Sequence, residues 1–145
     1  MNVTITENPA LDDIEVSVAC PRIDERVQRI VSALGAFDRA LVGERDGATY
    51  RLDVDDVCYA ETVDGKTFLY TADAVYQTPL KLYELEERLD SRRFARISNS
   101  EIINLGEVRS FDLSIAGTIC VQMKNGEVAY VSRRYVSKIK KILGL

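Results

Sequence analysis

RFARISNSEIINLGEV, from Arg93 to Val108, and NGEVAYVSRRYVSKIKKIL, from Asn125 to Leu143, are the stretches that decide the fold. In the first stretch, two apolar segments flank the polar run from Ser98 to Ser100, which predicts two strands joined by a turn. In the second, Asn125-Gly126 predicts a hairpin turn into a returning strand. Ser132 is then predicted to cap a final helix, which runs to about Leu143.

The sequence on either side of these stretches also predicts short strands. Asp46-Gly47 and Asp64-Gly65 are typical of tight hairpin turns. Thr78-Pro79 predicts the start of a short helix, with Thr78 as its N-cap and a buried stripe of leucines. The predicted fold class is α+β, predominantly antiparallel β with short helices. The predicted strands are Ala48–Leu52, Val54–Thr62, Thr67–Ala72, Val75–Gln77, Phe94–Ile97, Ile102–Leu105, Glu107–Phe111, Thr118–Met123 and Val128–Val131.

Residues 1–42 are predicted to form a small strand–helix unit. Ile14, Val16 and Val18 alternate with polar residues, as in a half-buried strand. A helix is predicted from about Asp24, its N-cap, to Leu34, with Gly35 just beyond its end. One strand and one helix cannot form a core alone, so we expect this unit to serve dimerisation or partner binding.

The charge is distributed unevenly along the 145 residues, whose formal net charge is -4. Residues 1–80 hold 7 basic and 15 acidic residues, whereas residues 81–145 hold 12 basic and 8 acidic ones. The segment from Arg133 to Lys141 contains five basic residues and no acid. Such asymmetry permits a local phosphate-binding face, although a basic run can equally be a solvated helix face.

Several chemistries have no support in the sequence. The chain contains no histidine and no Gly-rich phosphate loop, so we expect no enzyme, no cofactor, no metal site and no small-molecule substrate. Three widely spaced cysteines predict buried thiols rather than a disulfide framework. The N-terminus does not look like a secretory signal, and no apolar run is long enough to cross a bilayer, so we expect a cytoplasmic protein.

The two opening stretches resemble the LytTR-type DNA-binding domain of bacterial response regulators. The similarity covers roughly residues 43–143, and the DNA-binding domain is assigned to residues 43–145. It rests on the spacing of Phe94, Arg96, Ser100 and Asn104, followed by the Ser-Arg-Arg-Tyr start of the last helix. The resemblance implies a mostly β fold that places loops, rather than a recognition helix, into successive major grooves. It also implies operators made of paired short direct repeats.

The resemblance implies DNA contacts at three places: the hairpin near Lys66, the turn at Ser98 and Asn99, and the helix start at Arg133 and Arg134. Lys138 would add phosphate attraction. Many family members carry a histidine where this chain has Ser98. Only about 40 residues precede the DNA-binding part, so the chain looks like the short subgroup without a receiver domain, and we expect no phosphorylation control. In that subgroup a small membrane protein encoded nearby is often the partner.

The same residues have physical interpretations of their own. Two arginines in the first turn of a helix are unfavourable, because their positive charges oppose the helix dipole. Such a helix start suits the binding of a phosphate or a guanine. The alternative is that both arginines project into water or pair with Glu127. Asn99 suits adenine or simply a turn. Asn104 is expected to hydrogen-bond locally and support the fold, whereas Arg96 could point at the core edge or at DNA.

We therefore expect a sequence-specific DNA-binding transcriptional regulator that acts on double-stranded DNA as a homodimer. The alternative is a protein-interaction or sensory module that keeps the fold without tight DNA binding, which the acidic first half and the missing histidine would favour. Binding with no sequence preference would distinguish this alternative.

Overall fold

The computed structural model describes residues 1–35 and 37–145. The chain divides into two units, Met1–Asp38 and Arg39–Leu145. The sequence placed a boundary after residue 42, but in the structure the strand that begins at Ala40 belongs to the second unit.

The first unit contains one helix, α1 (Glu25–Asp38), and no strand among its described residues. The carboxylate of Asp24 accepts a hydrogen bond from the Val27 amide at 3.0 Å, as predicted for an N-cap. The helix continues through Gly35, because a glycine weakens a helix by only about 1 kcal/mol and does not stop it.

The strand predicted around Ile14 to Val18 is wrong. These residues have no regular secondary structure, and the side chains of Ile14 and Val16 are exposed. Alternating apolar residues form a strand only when a neighbouring strand pairs with their backbone, and no other strand exists in this unit as far as it is described.

The second unit is built around a seven-stranded antiparallel sheet with the strand order β2-β1-β5-β4-β3-β7-β6. The strands are β1 (Ala40–Arg45), β2 (Ala48–Asp53), β3 (Val57–Val63), β4 (Lys66–Thr71), β5 (Val75–Thr78), β6 (Phe94–Arg96) and β7 (Glu101–Asn104). Two of the hairpins turn at Asp46-Gly47 and Asp64-Gly65, and each pair has φ values of 51° and 77°. Both residues of such a turn need positive φ, which is why Asp-Gly predicted these hairpins correctly.

A three-stranded antiparallel sheet follows, with the order β10-β9-β8. Its strands are β8 (Val108–Asp112), β9 (Ile119–Met123) and β10 (Val128–Val131). Two helices complete the unit: α2 (Leu82–Arg88) and α3 (Arg133–Ile142). Short 3-10 turns lead into β3 and β8. The predicted α+β fold with dominant antiparallel β structure is confirmed.

The core has two apolar clusters, one on each face of the seven-stranded sheet. Neighbouring residues of β7 show the division, because Ile102 packs with α2 while Ile103 packs with β9, β10 and α3. The predicted leucine stripe of α2 is buried in the first cluster, and Ile139 of α3 is buried in the second. The sheet is therefore covered on both faces around β3, β6 and β7.

Three local predictions need correction. Helix α2 begins at Leu82 and not at Thr78-Pro79, because Thr78 is the last residue of β5 and pairs with Thr67. The helix start is held instead by Glu84, whose carboxylate accepts the Lys81 amide at 3.1 Å. Cys20 is exposed and Cys120 is only partly buried, so only Cys58 is buried as predicted.

Candidate nucleic-acid interface

The loop that carries Ser98 and Asn99 lies between the β3–β4 hairpin and the start of α3. The Thr62 amide, near the end of β3, donates to the Ser100 carbonyl at 2.8 Å. The Ser132 amide, just before α3, donates to the Ile97 carbonyl at 2.8 Å. The loop is thus hydrogen-bonded on one side to the strand leading to the Lys66 hairpin and on the other to the helix start. The three segments that the sequence singled out lie side by side.

The backbone of this loop is held in a defined conformation. The Ser98 hydroxyl accepts the Ser100 amide at 3.2 Å, which closes a tight turn around Asn99. Arg96 donates to the carbonyls of Ser98 and Asn99. Ser98 itself is half-buried, whereas Asn99 at the tip is exposed. Asn99 can therefore reach a ligand, and Ser98 contributes mainly to the shape of the turn.

The start of α3 offers unneutralised positive charge. Arg133 and Arg134 are exposed, and neither forms an ion pair with a carboxylate in the described residues. Ser132 occupies the N-cap position, but its side chain makes no capping hydrogen bond, contrary to the sequence prediction. No acidic residue lies in the first turn. Uncapped helix amides and two arginines form a site suited to an anion.

The acidic partner considered for these arginines is engaged elsewhere. Glu127 accepts a hydrogen bond from the Tyr59 hydroxyl. The guanidinium of Arg134 lies 5.8 Å from the ring centroid of the adjacent Tyr135. The side chain of Arg133 lies near Gly117, because a Cβ atom on that glycine would be 3.6 Å from Arg133 Nε. The two arginines are therefore available to an external phosphate or base.

The two predicted lysines are also exposed. Lys66 is the first residue of β4 and pairs across the turn with Val63, so it stands at the tip of the hairpin. Lys138 lies further along α3, outside its first turn. In the described part of the chain, neither lysine has an ion pair. Together with the loop and the helix start, Lys66 and Lys138 complete the set of predicted contact residues.

An acidic and aromatic cluster that sequence reasoning missed lies between β3, β4, β7 and β10. Glu61 and Glu101 face each other across β3 and β7, and they line a cavity of about 240 Å³ with Tyr59 and Glu127. Burial, and then the nearby Glu61, raise the pKa of Glu101. Burial and a hydrogen bond to Glu61 raise the pKa of Tyr70 to about 12. Only the folded pairing of the strands brings these acids together, so no sequence signal could have identified the cluster.

Asn104 has the structural role that the sequence predicted. Its side chain is 1% exposed. The amide nitrogen donates to the Val57 carbonyl at 2.9 Å, and the amide oxygen accepts the Gly106 amide at 2.9 Å. Asn104 thereby ties β7 to the start of β3 and caps the 3-10 turn before β8.

The described residues contain no group of three or more cysteine, aspartate or glutamate side chains that could hold a metal ion. Among these residues, no helix has the length and apolar character needed to span a membrane.

Exposed basic side chains on a hairpin and a helix start, with a polar loop between them on a β-rich core, are an arrangement typical of nucleic-acid-binding domains. Comparison with known proteins agrees with this class. Residues 47–144 match the LytTr DNA-binding domain family. A solved LytTr DNA-binding domain from Bacillus cereus superposes with a TM-score of 0.71 at 25% identity, covering 74% of this chain and 98% of that one.

Full-length relatives extend the comparison to the first unit. An uncharacterized HTH-type transcriptional regulator of Staphylococcus aureus (strain NCTC 8325 / PS 47) is 31% identical over 147 residues, covering 100% of this chain and 98% of that protein. Its counterpart in strain MSSA476 is 29% identical over the same length. The chain belongs to the LytTR DNA-binding domain family, and residues 47–144 are its DNA-binding domain.

Proposed function

We propose that this protein is a transcriptional regulator that binds specific DNA sequences through the surface formed by Lys66, Ser98, Asn99, Arg133, Arg134 and Lys138. One observation carries the proposal: backbone hydrogen bonds link the loop at Ser98 and Asn99 to the end of β3 and to the start of α3, and the basic side chains of these segments form no ion pair among the described residues. The names of the Staphylococcus relatives support a role in transcription.

Each residue of this surface would have a distinct role. Arg134, with Arg133 beside it, would read guanine or hold phosphate at the uncapped start of α3. Asn99 would pair with adenine from the loop tip, and Ser98 would shape the turn. Lys66 and Lys138 would bind phosphates, which positions the domain without reading sequence. Loops that enter the major groove would thus recognise the base sequence.

The operator would consist of paired short direct repeats, each bound by one copy of the protein. Two copies on the same face of DNA would place the repeat centres about two helical turns, or roughly 21 bp, apart. The first unit, with exposed Val31 and Phe37 on its helix, would join the copies as a homodimer. The relatives align over this unit as well, which supports a shared role for it. The protein would act in the cytoplasm.

Fluorescence anisotropy tests the proposal. An operator is first selected from a random duplex library, and binding is then measured at several salt concentrations. We expect specific binding that weakens steeply with salt, and an Arg134→Ala variant that loses about 1–3 kcal/mol of binding free energy. Arg92→Ala is the control, because Arg92 is also exposed but pairs with Asp90 and precedes β6, at the end of that strand away from the loop.

The second candidate function is a protein-interaction module. The acidic first 80 residues and Ser98, where relatives of the family often have histidine, favour it. In that case the selection would yield no preferred sequence, and Arg134→Ala would leave the weak binding to random DNA unchanged. Either result would contradict sequence-specific regulation.

A further inference from the structure

Arg96 makes three hydrogen bonds inside the protein, two to the loop that carries Asn99 and one to helix α2. Nε donates to the Ser98 carbonyl at 2.8 Å, and Nη2 donates to the Asn99 carbonyl at 2.7 Å. Nη1 donates to a Glu86 carboxylate oxygen at 2.9 Å. The Arg96 side chain is only 15% exposed. Its guanidinium is therefore already occupied before any DNA arrives.

Glu86 connects this arrangement to the core. It lies on α2, whose Leu82 and Leu85 are buried against the sheet. The carboxylate thus holds the guanidinium from a fixed helix, while the guanidinium holds two successive loop carbonyls. A planar guanidinium can donate in two directions at fixed angles, which a lysine ammonium does not reproduce. The chain from α2 through Arg96 to the loop tip is short and rigid.

We propose that Arg96 is a positioning residue for base recognition: it fixes the loop so that the Asn99 side chain is presented in one orientation, and it makes no DNA contact itself. This inference rests on the proposed function, since it assumes that Asn99 reads a base. The sequence left open whether Arg96 points at the core edge or at DNA. In the structure its guanidinium lies between α2 and the loop, and it does not project freely outwards.

Arg96→Lys tests this role while keeping the charge. We expect specific affinity to fall about tenfold, a loss of ~1.4 kcal/mol. Affinity for random DNA and the slope of log affinity against log salt should stay at the wild-type values, because no phosphate contact is removed. Glu86→Gln releases the guanidinium from the other side and should give a smaller loss of the same kind. Circular dichroism of both variants verifies that they are folded.

A double-mutant cycle with Asn99→Ala provides the decisive comparison. If Arg96 acts through Asn99, then Arg96→Lys has no further effect on specific binding once Asn99 is alanine. If Arg96→Lys lowers specific affinity equally with Asn99 and with alanine at position 99, the inference is overturned. It is also overturned if Arg96→Ala reduces the slope of log affinity against log salt by about 1, the change expected when one phosphate contact is lost. If the wild-type protein shows no preferred DNA sequence, the proposed function itself is rejected. If the wild-type protein binds a preferred sequence and the double-mutant cycle shows no coupling, only the positioning role of Arg96 is rejected.

Discussion

Lys66 is the simplest of the exposed cations in the proposed interface. It stands at the tip of the β3–β4 hairpin and is not paired with an acid in the described structure. A lysine is a point charge on a flexible stem, so it suits phosphate rather than a particular base. Its expected contribution is therefore electrostatic and independent of DNA sequence.

Lys66→Ala should weaken binding to specific and random DNA by a similar factor. The slope of log affinity against log salt should decrease in magnitude by about 1, because one fewer counterion is released. Lys124→Ala is the matched control, since Lys124 is exposed at the end of the β9–β10 hairpin away from α3. An unchanged salt slope in Lys66→Ala, measured by anisotropy, would remove the hairpin from the proposed interface.

Asn104 shows the opposite situation, a polar side chain that is fully used by the fold. Replacing it with alanine leaves the Val57 carbonyl and the Gly106 amide without their partners. We expect Asn104→Ala to lower the free energy of unfolding by about 1–3 kcal/mol, as measured by urea denaturation. The exposed Asn2 serves as control, and Asn2→Ala should change stability by less than about 0.5 kcal/mol. Equal stabilities of the two variants would refute this role.

The sequence predicted features fixed by local chemistry better than contacts between distant elements. The Asp-Gly turns depend on local chemistry, and these predictions were correct. The structural role of Asn104 was also predicted, but one of its hydrogen bonds goes to Val57, 47 positions away along the chain. The role of Arg96 depends on Glu86, a residue of α2 that lies 10 positions away along the chain. Only the packing of α2 on the sheet brings the two together. Contacts of this kind have no local signature in the sequence.

At the scale of elements, β3 and β7 bring two acids together beside the predicted DNA-binding loop. Glu101 follows Ser100 directly and faces Glu61 across the strand pair. Because its pKa is raised, the folded protein holds this proton more tightly than the unfolded chain does. Stability is therefore greatest when Glu101 is protonated, and it falls as the pH rises through the raised pKa.

Glu101→Gln should remove the loss of stability that accompanies the deprotonation of Glu101. At pH 7 the variant should be more stable than the wild type by less than about 1 kcal/mol, because Glu101 is only half-buried. The difference should disappear near pH 4, where the wild-type carboxyl is largely protonated. Thermal unfolding from pH 4 to 8 checks this, with the exposed Glu44→Gln as control. A difference that is the same at every pH would contradict the account.

Strands and helices were predicted well wherever the second unit supplies their partners. The prediction of a strand around Ile14 to Val18 failed because alternating apolar residues do not indicate whether a neighbouring strand exists. The start of α2 failed for a related reason: Thr78 and Pro79 favour a helix start locally, but Thr78 belongs to the β4–β5 ladder. Its hydroxyl accepts the Leu80 amide at 3.3 Å, which holds the turn before the helix. Tertiary pairing overrides local preference in both places.

At the scale of the whole molecule, the first unit exposes apolar side chains. Val31, Leu34 and Phe37 follow one another at intervals of three residues on α1, and they are 54%, 38% and 72% exposed. Exposed apolar groups at helical spacing are typical of an interaction surface. We expect a second copy to cover this stripe when two copies bind adjacent repeats, although a small membrane protein would be the alternative partner.

Val31→Glu and Phe37→Glu should therefore abolish self-association and reduce binding to paired repeats more than binding to a single repeat. Light scattering measures the mass in solution, with and without DNA. Ser32→Glu is the control, because Ser32 is also exposed on α1 but lies off the apolar stripe. A wild-type protein that stays monomeric, free and on paired repeats, would refute the dimer and direct attention to another partner.

The most direct test of the central claim is an NMR titration of the 145-residue protein with its selected operator, observed through backbone amide shifts. We predict that the largest changes cluster at residues 64–67, 98–100 and 132–135, the three segments that form the proposed surface. Residues 90–93 and 124–126, which lie at the far ends of β6 and of the β9–β10 hairpin, should change little. Changes centred on those far ends, or confined to one of the three segments, would contradict the account.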